Sequence, residues 1–401
     1  MKIKHKPQDF RVKELLADGY LAERGRHRVY RVTKTKLTSF EAARALADFA
    51  GVEPSEVGLA GLKDRQGVTT QFMSVQGGKP VTWKSADLRI ETAGFAHDAL
   101  TSDRSIGNAF EVTLRRVDEP ARARIAKALD EVRAHGFVNY FGEQRFGNLR
   151  FGQGWIARLL ALGEHEEALK QLLCGRSDAD DARHKEFKQL LAARWGNWRA
   201  CRDIAGKYGA HHSVFEQLGR DPEDFASALR RVAARLRLIH LYAWQSHLWN
   251  RAVSRYVAEI TPARDRMFVS SLEGELAFAR TELASDPAMV NQFRLPGVAL
   301  ADVKHPRQKE LFTAVLADEG LTPEQYRIEG QSGFRLKGED RELVVRPRRL
   351  KLDVDAEDGG RVLLRFELPR GSYATLLVAR LAGRFTHEFR PDTDAPRDAR
   401  R

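Results

Sequence analysis

Cysteine is nearly missing from this chain. Only Cys174 and Cys201 occur in 401 residues, too few for a disulfide framework or an all-cysteine zinc site and in keeping with a reducing compartment. No stretch approaches the roughly 18 consecutive apolar residues of a membrane span. The first fifteen residues, MKIKHKPQDFRVKEL, hold no apolar run of the kind a secretory signal carries. The expected location is the cytoplasm, with no membrane attachment. His211-His212 and His165-Glu166 lack the spacing of a zinc helix, Gly77-Gly78-Lys79-Pro80 has no phosphate-binding loop around it, and no Gly-x-Ser-x-Gly elbow occurs. A metal, a nucleotide cofactor and serine-hydrolase chemistry are therefore not expected. Fixed-period repeats and low-complexity tracts are missing too.

What the chain does have is positive charge. Lys and Arg number 67 against 55 Asp and Glu, a net charge of +12 with a pI near 9.7. An excess of that size fits a polyanionic partner, because cationic patches release condensed counterions when they meet phosphates. With 42% hydrophobic residues the chain can bury a core, and its length exceeds the roughly 250 to 300 residues at which single cores stop growing.

Periodicity divides the chain. Thr38 to Gly51 reads as a helix, with Thr38 and Glu41 spaced as a capping box and Gly51 as its stop. Val68 to Val75 and Phe110 to Leu114 alternate as strands. Ala121 to His135 returns to helical spacing through Ile125, Leu129 and Val132, closed by Gly136. From Gly152 to about Glu259 the text is Ala, Leu and Arg rich and helical, with almost no strand signal. Strand-like text returns at Phe334 to Leu336, Leu343 to Val345 and Leu363 to Leu368, followed by a helix from Ala374 to Leu381 that ends at Gly383. The expected class is α+β, one domain built from both chain ends and interrupted by a mostly helical insertion. The expected bounds are 1–147 with 346–390 for the first, 148–345 for the insertion, and a disordered tail at 391–401.

Three segments could carry chemistry. In Gly61-Leu62-Lys63-Asp64-Arg65-Gln66-Gly67 one carboxylate sits between two cations, which favour its ionised form and suit Asp64 to act as nucleophile or general base. A solvated turn with incidental charges fits the same text. Asn139 to Gly147 mixes aromatics, amides and Arg145 between glycines, suited either to holding an unpaired base or to plugging a core at a hinge. Arg341, Arg346, Arg348, Arg349 and Lys351 form a basic run fit for phosphates or for a solvated edge.

These residues give the chain a resemblance. Lys4-His5-Lys6-Pro7-Gln8-Asp9-Phe10, Gly61-Leu62-Lys63-Asp64-Arg65, Gly107-Asn108-Ala109-Phe110, Asn139 to Gly147, Leu295-Pro296-Gly297 and Leu368-Pro369-Arg370-Gly371-Ser372-Tyr373-Ala374-Thr375 stand in the order found in the TruD family of tRNA pseudouridine synthases. The resemblance implies a pseudouridine synthase catalytic domain, a mixed sheet with flanking helices, carrying a TruD-type insertion. It implies a cofactor-free isomerase that turns uridine into pseudouridine at position 13 of the tRNA D-arm, working as a monomer by base flipping. It casts Asp64 as the catalytic residue, and Phe10, Asn108 and Tyr373 as the lining of the nucleotide pocket. Lys4 becomes an ion-pair partner of Asp64, with Lys63 and Arg65 beside it, and Asn139, Arg145, Arg346 and Arg348 are candidates for RNA contact. The segment before Gly107 departs from the family in carrying Asp98, Asp103 and a single Arg104 where many members are basic. The residues alone leave open a non-catalytic tRNA-binding protein or RNA chaperone on the same fold, and a glycosidic hydrolase that releases a base.

Overall fold

A computed structural model describes residues 3, 5–146, 154–175, 180–284, 286–287, 289, 293–297, 300–326, 338–355 and 360–384. Lys4, Gly147, the expected strand at Phe334 to Leu336 and the tail at 391–401 lie outside the described residues. The chain divides into two compact units, one made of Met1–Phe137 with Val345–Arg401, the other of Val138–Val344. Segment 138–146, expected with the catalytic part, thus falls in the second unit. Its aromatics explain this, since Tyr140 packs on Trp249 and Phe278, and Phe141 on Trp249.

The first unit is built on a nine-stranded sheet. Its strands are β1 (Phe10–Leu16), β2 (His27–Thr35), β3 (Gly58–Leu59), β4 (Val68–Gln76), β5 (Thr82–Lys84), β6 (Leu88–Ala96), β7 (Ser105–Arg115), β14 (Arg348–Val354) and β15 (Arg361–Pro369). β8 (Phe137–Val138) and β13 (Val344–Val345) lie where the chain leaves and re-enters it, and β9 to β12 belong to the second unit. The order is β14-β15-β7-β1-β4-β2-β6-β5, with β3 on β4. Both chain ends are thus woven into one sheet, because β15 pairs with β7. The pairing is antiparallel except at the centre, where β1 and β4 run parallel. A parallel pair needs a crossover, and β2, α1 (Ser39–Ala50) and β3 supply it.

α1 forms as its text predicts. Thr38 caps it by accepting from Glu41 N, the Glu41 carboxylate accepts from Thr38 N, and Gly51 ends it at φ 73°. Ala42, Leu46 and Ala47 of α1 bury against Tyr30, Val32, Met73 and Ile90 of the sheet. α2 (Glu119–His135) packs on the final helix Ala374–Ala382 and on β14. Along β1 the buried residues are Phe10, Val12 and Glu14, whereas Arg11 and Lys13 are exposed. A strand's period of two therefore puts one charged residue, Glu14, on the buried face.

The second unit is mainly helical. It comprises α3 (Ile156–Leu162), α4 (His165–Cys174), α5 (Ala182–Ala193), α6 (Trp198–Tyr208), α7 (His212–Arg220), α8 (Phe225–Arg231) and α9 (Ala234–Ile260), then a helix at Pro306–Asp318 that packs on α9. Strands enter after α9. β9 (Arg266–Ser271) and β10 (Gly274–Ala279) form a hairpin, and β11 (Phe293–Leu295) pairs with β12 (Glu339–Arg341). No helix among the described residues is long and apolar enough to cross a membrane.

Candidate active site

Parallel pairing of β1 and β4 decides where the Asp64 loop lies. The segments that enter these two strands arrive at the same edge of the sheet, so the loop preceding Val68 comes alongside the start of β1. Two contacts fix its course. The Lys63 ammonium reaches Glu14 Oε1 at 2.7 Å, and Gly67 approaches so closely that a Cβ there would stand 2.5 Å from the Phe10 carbonyl oxygen. Asp64 lies in the stretch of chain between these two contacts. Only glycine permits the approach at residue 67.

The loop is held from several sides. Glu14 is buried, and its second oxygen accepts from Phe72 N at 2.9 Å, so the carboxylate ties β1, β4 and Lys63 together. Lys63 N donates to Ser39 Oγ at 2.9 Å, and that hydroxyl donates to Gln71 Oε1 at 2.7 Å. Lys34 of β2 lies beneath, with Nζ 2.9 Å from the Asp64 carbonyl, 3.3 Å from the Lys63 carbonyl and 2.8 Å from the Leu37 carbonyl. The Asp64 side chain turns back on its own loop, Oδ1 accepting from Gln66 N at 3.0 Å, an Asx turn that orients the carboxylate. Arg65 donates from Nε to the Lys36 carbonyl at 3.0 Å, so it braces the loop against the β2–α1 link.

Asn108 stands next to this frame. On β7 its Cα partner on one side is Glu14 and on the other Leu368, and partners directly across a sheet share a face. Its Oδ1 is buried and accepts no hydrogen bond, an acceptor left for a donor from elsewhere. Gly107 precedes it because the neighbouring strand passes too close for a side chain, a Cβ there standing 2.2 Å from the Leu368 carbonyl oxygen. Phe10 is 5% exposed, with its ring edge on Phe110, which in turn stacks on Phe366. Tyr373 caps the final helix just beyond β15, half-buried, its carbonyl accepting from Leu376 and Leu377. The end of β1 is pinned by Arg115, which grips Asp9 through two hydrogen bonds of 2.9 and 2.7 Å. Burial works to raise the Asp9 carboxyl, but Arg115 and the Lys6 N–H outweigh it and hold the group below its ordinary range.

The first unit therefore brings Phe10, Lys63, Asp64, Arg65, Asn108 and Tyr373 onto neighbouring elements. Arg346 and Arg348 are exposed in the same unit, Arg348 facing Glu367 at 3.5 Å. Asn139 and Arg145 lie in the second unit, where both have internal partners. Asn139 is 5% exposed, donates to the Glu342 carbonyl and accepts from Arg341. Arg145 donates to Ser246 Oγ and lies over the Phe141 and Tyr242 rings. In this segment the aromatics fill a core, as one of the two expectations had it. Sequence reasoning missed Glu14 and Lys34. Their signal was a charge on the inward phase of a strand, in Phe10-x-Val12-x-Glu14 and Tyr30-x-Val32-x-Lys34. Among the described residues no cluster of His, Cys, Asp and Glu is placed to hold a metal ion.

The family description tRNA pseudouridine synthase D (TruD) matches residues 1–381. The chain belongs to the TruD family. It is 30% identical to a tRNA pseudouridine synthase D of Aquifex aeolicus, over 95% of this chain and 98% of that one. With a protein named probable tRNA pseudouridine synthase D 1 of Methanococcus maripaludis it shares 28% identity, over 95% of this chain and 99% of the relative. A crystal structure assigned to a TruD of Methanosarcina mazei superposes with a TM-score of 0.69 at 22% identity, covering 95% of this chain and 93% of that one. That likeness shows a shared fold, the α+β architecture expected from the sequence.

Proposed function

We propose that this TruD-family chain isomerises uridine to pseudouridine in tRNA, with the D-arm uridine at position 13 as its target and Asp64 as the reactive carboxylate. Family membership supports the reaction. One observation supports the site: Asn108, with a buried amide oxygen that accepts nothing, stands across from Glu14, whose carboxylate holds Lys63, the neighbour of Asp64.

The chemistry fits these groups. Isomerisation breaks the bond from N1 to C1′, turns the detached uracil, and joins C5 to C1′. The proton leaving C5 goes to solvent and N1 gains one, so atoms balance and no electrons are exchanged with a second reactant. Ionised Asp64 supplies the electron pair that opens the sequence. A stacked uridine hides C1′ and C6, so the nucleotide is flipped out at a cost of a few kcal/mol. Contacts with the Asn108 amide, which can accept from the uracil N3–H and donate to a carbonyl, and with the rings of Phe10 and Tyr373 offset that cost.

The test is to map pseudouridine in tRNA transcripts treated with the protein. Conversion of one D-arm uridine, lost when position 13 is changed to cytidine, supports the proposal. Conversion at another position overturns the choice of target, and tight tRNA binding without conversion favours the non-catalytic reading.

A further inference from the structure

Lys34 carries an ammonium that does not reach water. Tyr30, Val32 and Lys34 alternate onto the face that α1 covers, and Lys34 is 0% exposed. Its Cα partners are Thr69 on β4 and Leu88 on β6, so strands wall it on both sides. The charged groups that face it are Asp64 and Lys63 on the loop and Glu41 on α1. Its hydrogen bonds go to main-chain oxygens, those of Leu37, Lys63 and Asp64, which use all three N–H donors of the ammonium.

Burying an ammonium without a carboxylate in contact is costly, and an apolar side chain of the same length would fill the space at less cost. What the ammonium adds is direction. Two of its three acceptors are consecutive carbonyls of the loop, and the third belongs to the β2–α1 link, so one group fixes the Lys63 and Asp64 main chain against the sheet. We propose that Lys34 is a positioning residue for the reaction: it locks the Lys63 and Asp64 carbonyls and so sets the direction in which the Asp64 carboxylate leaves the loop. This rests on Asp64 as the reactive carboxylate.

Titration of the same group gives the role a signature. Burial pushes the ammonium down to about 8, partly countered by the negative charges of Asp64 and Glu41. Above that pH the neutral amine has two N–H groups for three carbonyls, and the loop loosens. Stability moves the other way. The unfolded chain holds this proton up to its ordinary value of 10.5, so the unfolded state binds more protons in that window and this group's contribution to stability rises with pH. Activity falls through about pH 8 while the fold is not weakened by the same event.

Lys34→Met keeps the volume and removes the donors. We expect its single-turnover rate on tRNA to fall about tenfold or more, with tRNA affinity within roughly threefold of wild type. Its unfolding midpoint should equal or exceed that of wild type, and the alkaline decline in rate should vanish. A rate within about twofold of wild type overturns the proposal, as does a loss in rate matched by an equal loss in tRNA affinity. Asp64→Asn measured in parallel separates the two claims. An active Asp64→Asn protein removes the basis in Asp64, whereas an inactive one beside a fully active Lys34→Met protein removes only the role of Lys34. Should Lys34→Met not fold, the wild-type pH profile decides. A rate that falls above about pH 8 while the protein remains folded at each pH supports the role, and a rate flat to about pH 9 overturns it.

Discussion

The Lys63 ammonium lies 2.7 Å from Glu14 Oε1, in a pair whose carboxylate is wholly buried and whose lysine side chain is 10% exposed. Removing one member of such a pair leaves an uncompensated charge inside the protein. Glu14→Ala is expected to destabilise the fold by about 3 kcal/mol and to release the loop bearing Asp64, with loss of activity. Thermal unfolding and a rate assay on the same preparation check this. A fully stable Glu14→Ala protein would show that the pair contributes nothing net.

Asn108 should behave in the opposite way. Its Oδ1 has no partner to lose, so Asn108→Ala is expected to change stability by only about 0.5 kcal/mol while lowering kcat/KM by about 30-fold, the equivalent of two hydrogen bonds of about 1 kcal/mol each. Unfolding curves and steady-state kinetics distinguish this from a structural role, in which stability and activity would fall together.

Gly107 answers to sterics alone. A Cβ would stand 2.2 Å from the Leu368 carbonyl oxygen on β15, and backbone cannot yield as a flexible side chain does. Gly107→Ala is expected to cost about 2 kcal/mol or more by prising β7 from β15. Denaturant unfolding reads it directly, and a midpoint equal to wild type would mean the strands part freely.

In the second unit His247 places Nδ1 3.0 Å from Glu273 and Nε2 3.0 Å from Glu319. Burial alone would lower this imidazole, but the two carboxylates outweigh it and raise it above its ordinary value of 6.5. Both ring nitrogens face acceptors, so the imidazolium is the form that satisfies them. A raised value means that the stabilisation is fully present below about pH 6.5 and is lost as pH climbs through the folded-state value. The unfolding midpoint should therefore drop as pH rises above about 6.5, and His247→Gln should start lower and respond less to pH. Calorimetry across pH 6 to 9 checks both.

Much of the frame was legible in the text. Thr38, Glu41 and Gly51 bound α1 because capping chemistry is local, and the alternation around Val68 and Phe110 marked β4 and β7. The helical middle separated itself from the mixed ends by composition. Other features depend on partners distant in sequence. Glu14 and Lys34 look like ordinary polar strand residues until the sheet closes and α1 covers them. Asn139, Tyr140 and Phe141 carried the same residue types that a base-binding surface would show, and only Trp249, Phe278 and Arg341, brought near by folding, give them a core role. Arg266 to Ala279 offered short strands around Ser271 and Gly274 beside a long helical run, too brief for periodicity to resolve.

The most direct test of the account is release of tritium from uridine C5 in tRNA transcripts, comparing wild type with Asp64→Asn. Release by the wild type, none by the variant, and tRNA affinity within a few fold for both is the predicted result. Equal release from the two proteins, or free uracil in place of an isomerised RNA, would contradict it.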